Sequence, residues 1–324
     1  MVPTSTANLD GPLTSTMPMQ ARFVPLMRLI VVLALFFAIH SIVQPSNLSG
    51  LALAGTAEDL EPTPQPDETS MTVMTFNLGN GLVAPADLVS YLRESEADLV
   101  ALQEVTPEIA EALETDLADI FPYREVRGLG IPGKALLSRY PITRAEWLEL
   151  NPGRPDLLAT VNLAGQPVDV LVAHPPPPEL NGGIVQPREG TFEQFDRIVE
   201  IAAESENPFL LLGDLNVTSL QPRHRELESI GLQDVFGAVG SGTGFTFPKR
   251  LPPLPEILID PVLRIDYIWA SEAWKPLSAS VGEDIGSDHL PVIARITLAD
   301  ESVAKEHGDA GGRHRSHSVL PQPT

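Results

Sequence analysis

The chain of 324 residues carries 43 Asp and Glu against 21 Lys and Arg, a formal charge of −22 at pH 7. A field of that sign repels polyanions and counts against tight nonspecific DNA binding unless metal ions or a local basic patch compensate. There is no cysteine, which excludes disulfides, thiolate catalysis and zinc–thiolate sites and leaves the redox compartment open.

Both ends differ in composition from the middle, so one large domain is expected rather than two. Residues 1–21, rich in Thr, Pro and Met, read as disordered. Residues 22–43, "RFVPLMRLIVVLALFFAIHSIV", contain an unbroken apolar run of eleven from Leu29 to Ile39. A helix over 23–43 would be about 31 Å long, enough to cross a bilayer core of about 30 Å, with Arg28 near one end and His40 near the other. The competing reading is a signal peptide with that run as its apolar region and "ALA" at 52–54 as the cleavage site. The long gap between Ile39 and Ala54 favours the uncleaved anchor. Arg22 and Arg28 precede the segment and no Lys or Arg follows before Arg93, which places the remainder outside the cytoplasm under either reading. Residues 44–70, acidic and Pro-rich, read as a semi-extended tether. The tail, 299–324, has no apolar periodicity and reads as disordered, with His314 and His317 as solvated groups.

Between tether and tail lies one domain, 71–298. Apolar, β-branched stretches predict strands at 71–77, 98–104, 134–138, 157–163, 168–174, 209–214, 265–270 and 291–298. Helical patterns lie at 85–95, 107–117, 191–205 and 222–230. Continuous rather than alternating apolar strands are covered on both faces, which implies an α/β (α+β) domain of sheet packed on sheet with helices outside.

Six of these strands begin or end in, or directly follow, an unusual polar group: Asn77, Glu104, His174, Asp214 with Asn216, Asp266, and Asp288 with His289. Packing gives an apolar strand no reason to finish in a carboxylate, although Asp and Asn alone favour turns. In "LLGDLN", 211–216, Asp214 and Asn216 stand two apart and project together from a strand end. Carboxylates, asparagines and histidines in this number form the composition of a hard-cation site with acid/base groups beside it.

The ordered stretches "TFNLGN" (75–80), "LQEV" (102–105), "GKALLSRYPI" (133–142), "VAH" (172–174), "GDLN" (213–216), "RIDYIW" (264–269) and "GSDHLPV" (286–292) resemble the motifs of the endonuclease/exonuclease/phosphatase superfamily. The resemblance implies a deoxyribonuclease I-like, four-layer α/β/β/α sandwich with the active site at one edge of its sheets. It implies Glu104 as the main ligand of a divalent cation, Mg²⁺ or alternatively Mn²⁺, with Asn77 beside it and Asp288 completing the metal side. Asp214 would orient or deprotonate the attacking water, Asn216 would bond the transition state, and His289, oriented by Asp266, would contact the phosphate. His174 stands where nuclease-like members place a second histidine.

Lys134 and Arg139 read as a solvated face, and His224, which matches no motif, as structural. GDLN replaces the commoner GDFN. The loops 175–190 and 241–262, where substrate specificity would reside, are neither strongly basic nor aromatic and offer no stacking platform for single-stranded nucleic acid. The activity expected is an extracytoplasmic, metal-dependent phosphodiesterase of endonuclease/exonuclease type. The alternatives are a phosphodiesterase or phosphatase acting on a lipid headgroup, and a non-catalytic binding module. The expected partners are a phosphoester substrate and, through the N-terminal segment, a membrane; no protein partner is evident.

Overall fold

A computed structural model describes residues 70–181, 184–251 and 254–299. In chain order the elements are β1 (Ser70–Asn77), α1 (Pro85–Glu94), β2 (Leu99–Gln103), α2 (Pro107–Asp116), β3 (Tyr123–Arg127), β4 (Lys134–Ser138), β5 (Ile142–Leu148), β6 (Asp156–Leu163) and β7 (Gln166–Val172). They continue as β8 (Glu179–Asn181), β9 (Ile184–Gln186), α3 (Thr191–Glu204), β10 (Phe209–Asp214), α4 (Pro222–Ser229), β11 (Gln233–Asp234) and α5 (Val235–Val239). The last are β12 (Arg250–Leu251), β13 (Leu254–Leu258), β14 (Asp266–Ala270), β15 (Trp274–Val281) and β16 (Val292–Leu298).

Two six-stranded sheets form, ordered β15-β16-β1-β2-β4-β3 and β11-β14-β10-β7-β6-β5. The continuous apolar strands are explained by burial on both faces. In β1, Met71 and Val73 enter the core between the sheets while Met74 and Phe76 pack outward under the first pair of helices. In β10, Leu210 and Leu212 point inward while Phe209 and Leu211 pack with Phe195 and Ile198 of α3 and Leu227 of α4. α1 and α2 cover the outer face of the first sheet through Leu88, Leu92, Ile109 and Leu113. The four layers expected from the resemblance are therefore present. Prolines open α1, α2 and α4, and Thr106 caps α2 by accepting the Ile109 N–H at 3.3 Å.

In the two main sheets, three strands of five or more residues lie outside the sequence expectation: β3, β5 and β15. Each sits at the edge of its sheet with most of its length partly or fully exposed, so Arg, Glu, Lys and Ser interrupt the apolar pattern that marks an interior strand. Pro276 further breaks the β15–β16 register. Among the described residues no helix is long and apolar enough to cross a membrane. The segments expected at 1–21 and 22–43 lie outside the described residues, as do the tether expected at 44–70 apart from Ser70, which opens β1, and the tail expected at 299–324 apart from Ala299.

Strand direction prepares the site. β1 and β2 run parallel and β16 runs against β1; β7 and β10 run parallel and β14 runs against β10. The C-terminal ends of β1, β2, β7 and β10 thus share one edge of the sandwich with the N-terminal ends of β14 and β16.

Candidate active site

The eight residues singled out in the sequence all lie at that edge and all but Asn216 are buried. The two sheets touch there through side chains. Asn77, ending β1, donates from Nδ2 to Asp214 Oδ2 at 3.0 Å. His174, just past β7, places Nε2 3.5 Å from Asp214 Oδ2 and 3.9 Å from Glu104 Oε1. Gly213 permits the approach: a Cβ there would stand 1.9 Å from the Ala173 carbonyl oxygen, so only glycine brings the residue before Asp214 against the residue before His174.

Asp214 and Asp266 are direct partners in the antiparallel register of β10 and β14. Like charges facing each other oppose pairing, and His289 resolves the conflict. Its Nδ1 lies 2.9 Å from Asp266 Oδ2 and its Nε2 3.8 Å from Asp214 Oδ2. Burial by itself would push the imidazole toward its neutral form, yet the Asp266 and Asp214 carboxylates raise its pKa to about 10. His289 is then an imidazolium at neutral pH.

The two aspartates respond in opposite directions. Burial pushes Asp214 up, but the hydrogen bond from His174, the charge of His289 and the Asn216 amide outweigh it and hold Asp214 below the usual carboxylate range. Burial dominates at Asp266 and raises its pKa despite His289. Thr246 donates to Asp266 Oδ2 at 2.5 Å, so His289 and Thr246 share one carboxylate oxygen.

Asn216 has φ +52°, a left-handed backbone that asparagine tolerates. Its N–H donates to Asp214 Oδ1 at 2.9 Å. Its side-chain amide donates to the Pro175 carbonyl at 2.9 Å, so in this structure it anchors the loop after His174 rather than offering a donor to solvent. Glu104 adopts φ +58°, an uncommon conformation for glutamate that directs its side chain off the end of β2.

Asp214, Asp266 and His289 present ligand atoms within 4.8 Å of one another. Their mutual hydrogen bonds already occupy His289 Nδ1 and Asp266 Oδ2. The oxygen donors expected from the sequence, Glu104, Asn77 and Asp288, better suit a hard cation. Asp288 Oδ1 is buried without a hydrogen-bond partner. It faces the Gly79 turn that follows Asn77, where a Cβ would stand 2.6 Å from it. Ser287 ties this loop down, donating to the Asn77 carbonyl at 2.7 Å and accepting the His289 N–H at 3.1 Å.

Several residues at the site carry no advance signal. Thr246 and Arg154 lie in loops; Arg154 places a guanidinium nitrogen 3.5 Å from His174 Nδ1. Lys134 corrects an expectation: it is fully buried and paired with Asp156 rather than solvated. The available clue was its place at the head of a strand apolar on both faces. Arg139 does sit half-exposed, 3.6 Å from Asp98. His224 is buried and structural as expected, its ring against Trp269 at 4.7 Å between centroids and its Nε2 3.3 Å from Asp234.

The model of the Endonuclease/Exonuclease/phosphatase family matches residues 74–289. The chain belongs to this family. Its members are phosphoester hydrolases that depend on divalent metal. Among solved structures, a family protein from Leptotrichia buccalis is 18% identical, with TM-score 0.54, covering 70% of this chain and 100% of its own. D. rerio TDP2 complexed with single strand DNA product is 18% identical, with TM-score 0.55, covering 71% and 100%. The 3' phosphatase NExo from Neisseria, bound to product DNA hairpin, is 20% identical, with TM-score 0.56, covering 69% and 98%. At these identities the likeness establishes the fold alone. No curated protein matches the sequence.

Proposed function

We propose that this domain is a divalent-metal-dependent phosphodiesterase of endonuclease/exonuclease type, using Mg²⁺ or alternatively Mn²⁺, and held outside the cytoplasm by its N-terminal segment. The observation that carries the reading is the Asp214–His289–Asp266 arrangement, in which one buried imidazolium lies between two carboxylates at the meeting edge of the sheets. Glu104, Asn77 and Asp288 would hold the cation. When bound, it would neutralise a phosphate oxygen as a Lewis acid. Asp214, kept ionised, accepts a hydrogen bond from the attacking water, orienting it or taking its proton as it attacks. His289 donates from Nε2 to a phosphate oxygen while Asp266 fixes its orientation from Nδ1. His174 and Arg154 supply further donors on the side of β7. Asn77 and Asn216 hold the Asp214 carboxylate in place.

A second reading, hydrolysis of a lipid headgroup, is favoured by one specific feature. β13, reached from the loop that carries Thr246 through the two-residue β12, exposes Leu254, Ile257 and Leu258. The apolar segment 22–43 would bring such a surface to a bilayer.

Hydrolysis of plasmid DNA, sphingomyelin, phosphoinositides and a chromogenic phosphodiester, each with Mg²⁺ and with EDTA, separates these readings. Activity on at least one substrate is expected, abolished by chelation. Glu104→Gln is expected to weaken the metal response far more than Glu108→Gln, since Glu108 is exposed in the first turn of α2. No hydrolysis of any substrate would leave the binding-module reading, and equal effects of the two substitutions would remove Glu104 from the site.

A further inference from the structure

Beneath the site lies a charge pair that the chemistry above does not use. Lys134 opens β4 in the first sheet and Asp156 opens β6 in the second, and Nζ stands 3.3 Å from Oδ1 with both side chains fully buried. The pair therefore crosses between the two sheets. Its remaining capacity is spent on backbone and one side chain. Nζ donates to the Pro155 carbonyl at 2.7 Å and reaches the Pro132 carbonyl at 3.4 Å. Asp156 Oδ1 accepts the His174 N–H at 3.2 Å, and Oδ2 accepts from Gln194 Nε2 at 2.7 Å.

Stability does not account for such a pair. Removing two charges from water costs more than an apolar contact of the same volume, and exchanging a buried ion pair for apolar residues is often neutral or stabilising. Burial lowers the Lys134 pKa against the opposing pull of Asp156, the signature of that cost. What the pair does supply is direction. Dispersion contacts tolerate sliding, whereas charge-assisted hydrogen bonds fix distance and angle.

The connections lead to two site residues, one on each sheet. Lys134 is in register with Gln103, the residue before Glu104. Gly133, just before Lys134, accepts the N–H of Val105, the residue after Glu104, at 3.2 Å. Glu104 is thus bracketed by two residues held to the start of β4. Asp156 grips the backbone of His174. Glu104 Oε1 and His174 Nε2 face each other at 3.9 Å above the pair.

We propose that Lys134 and Asp156 are positioning residues that set the spacing of Glu104 and His174 across the two sheets. Only the consequence for turnover rests on the phosphodiesterase reading; the geometric claim does not.

The test uses the full-length chain with its 7 histidines labelled with ¹⁵N. The double variant Lys134→Met, Asp156→Leu removes both charges together and so leaves none uncompensated. Lys134→Gln, which keeps a donor to Asp156 but leaves its charge uncompensated, is the second variant. The metal-free imidazole spectra, with His174 assigned through His174→Gln, are expected to show the His174 resonances shifted or broadened while those of His289 and His224 stay. The shift is expected to be larger in the double variant. The thermal midpoint of that variant is expected below wild type, because the Gln194 Nε2 and His174 N–H donors lose their acceptor, so turnover is read well below that midpoint. With Mg²⁺ and a chromogenic phosphodiester, kcat is expected to fall about 10- to 100-fold, the usual effect of losing an orienting partner, with KM nearly constant. Wild-type His174 resonances in both variants would overturn the proposal, as would a loss of kcat that merely tracks a lowered thermal midpoint. A wild-type chain that hydrolyses nothing would fail the functional reading alone, because the spectra still test the spacing.

Discussion

In the proposed mechanism Asp214 and His289 serve one transition state, one from each sheet, and their separate removal tests the chemistry at the scale of single residues. Asp214→Asn and His289→Ala are each expected to cut turnover by about 10² to 10⁴-fold, the typical worth of positioned acid/base and electrostatic groups. The double variant is expected to lose much less than the product of the two losses. Full activity in either single variant, on purified protein with verified metal content, removes that residue from the mechanism. His289 also links the site to stability. Its folded pKa of about 10 stands above the ordinary value of 6.5, so its stabilising charge is fully present below pH 6.5 and is lost as pH rises through about 10. Unfolding free energy from denaturant titrations is expected to decline across that window, with a shallower slope in His289→Gln. An identical slope in the variant would show that His289 is not the titrating group. The eight polar strand-end residues were legible in the sequence because so many carboxylates, histidines and asparagines closing or preceding apolar runs have no packing explanation. Thr246, Arg154 and Asp156 were not, since a polar residue in a loop or at the start of a strand looks the same whether it faces water or a buried partner.

At the scale of elements, the meeting of β7 and β10 is decided by one atom that is missing. Gly213 lies where a Cβ would enter the van der Waals shell of the Ala173 carbonyl. Gly213→Ala is expected to destabilise the fold by about 1–3 kcal/mol, the usual cost of overpacking. It is also expected to lower turnover beyond that loss, because the displaced strand ends carry Asp214 and His174. A variant with wild-type stability and turnover would show that the two strands have slack to give. Interior strands such as β2 and β10 were readable as unbroken apolar runs. The edge strands β3, β5 and β15 were not, because half of each faces solvent and any polar residue satisfies that half. The hairpins β8–β9 and β12–β13 likewise replaced what the sequence offered only as loops, since their pairing is local and leaves β13 exposed along its length.

For the whole molecule, charge distribution and chain order make the remaining prediction. With Arg22 and Arg28 before the apolar segment and no basic residue after it until Arg93, a reporter fused after Thr324 is expected outside the cytoplasm. Deletion of residues 22–43 is expected to leave a soluble domain. A cytoplasmic reporter would overturn this orientation. A formal charge of −22 is compatible with a small or membrane-borne phosphoester, and places much of the burden of attracting a polyanion on the metal.

Local chemistry by itself determined which segments become interior strands and helices, and which side chains stand at their ends, because both follow from burial period and capping over a few residues. Tertiary structure alone decided that Asp214 faces Asp266, that His289 lies between them as an imidazolium, and that Lys134 runs inward to Asp156. Those facts depend on strand order, register and the distance between two sheets. Residues far apart in sequence meet only when the whole sandwich closes, and a charge takes its protonation state from the neighbours it meets there.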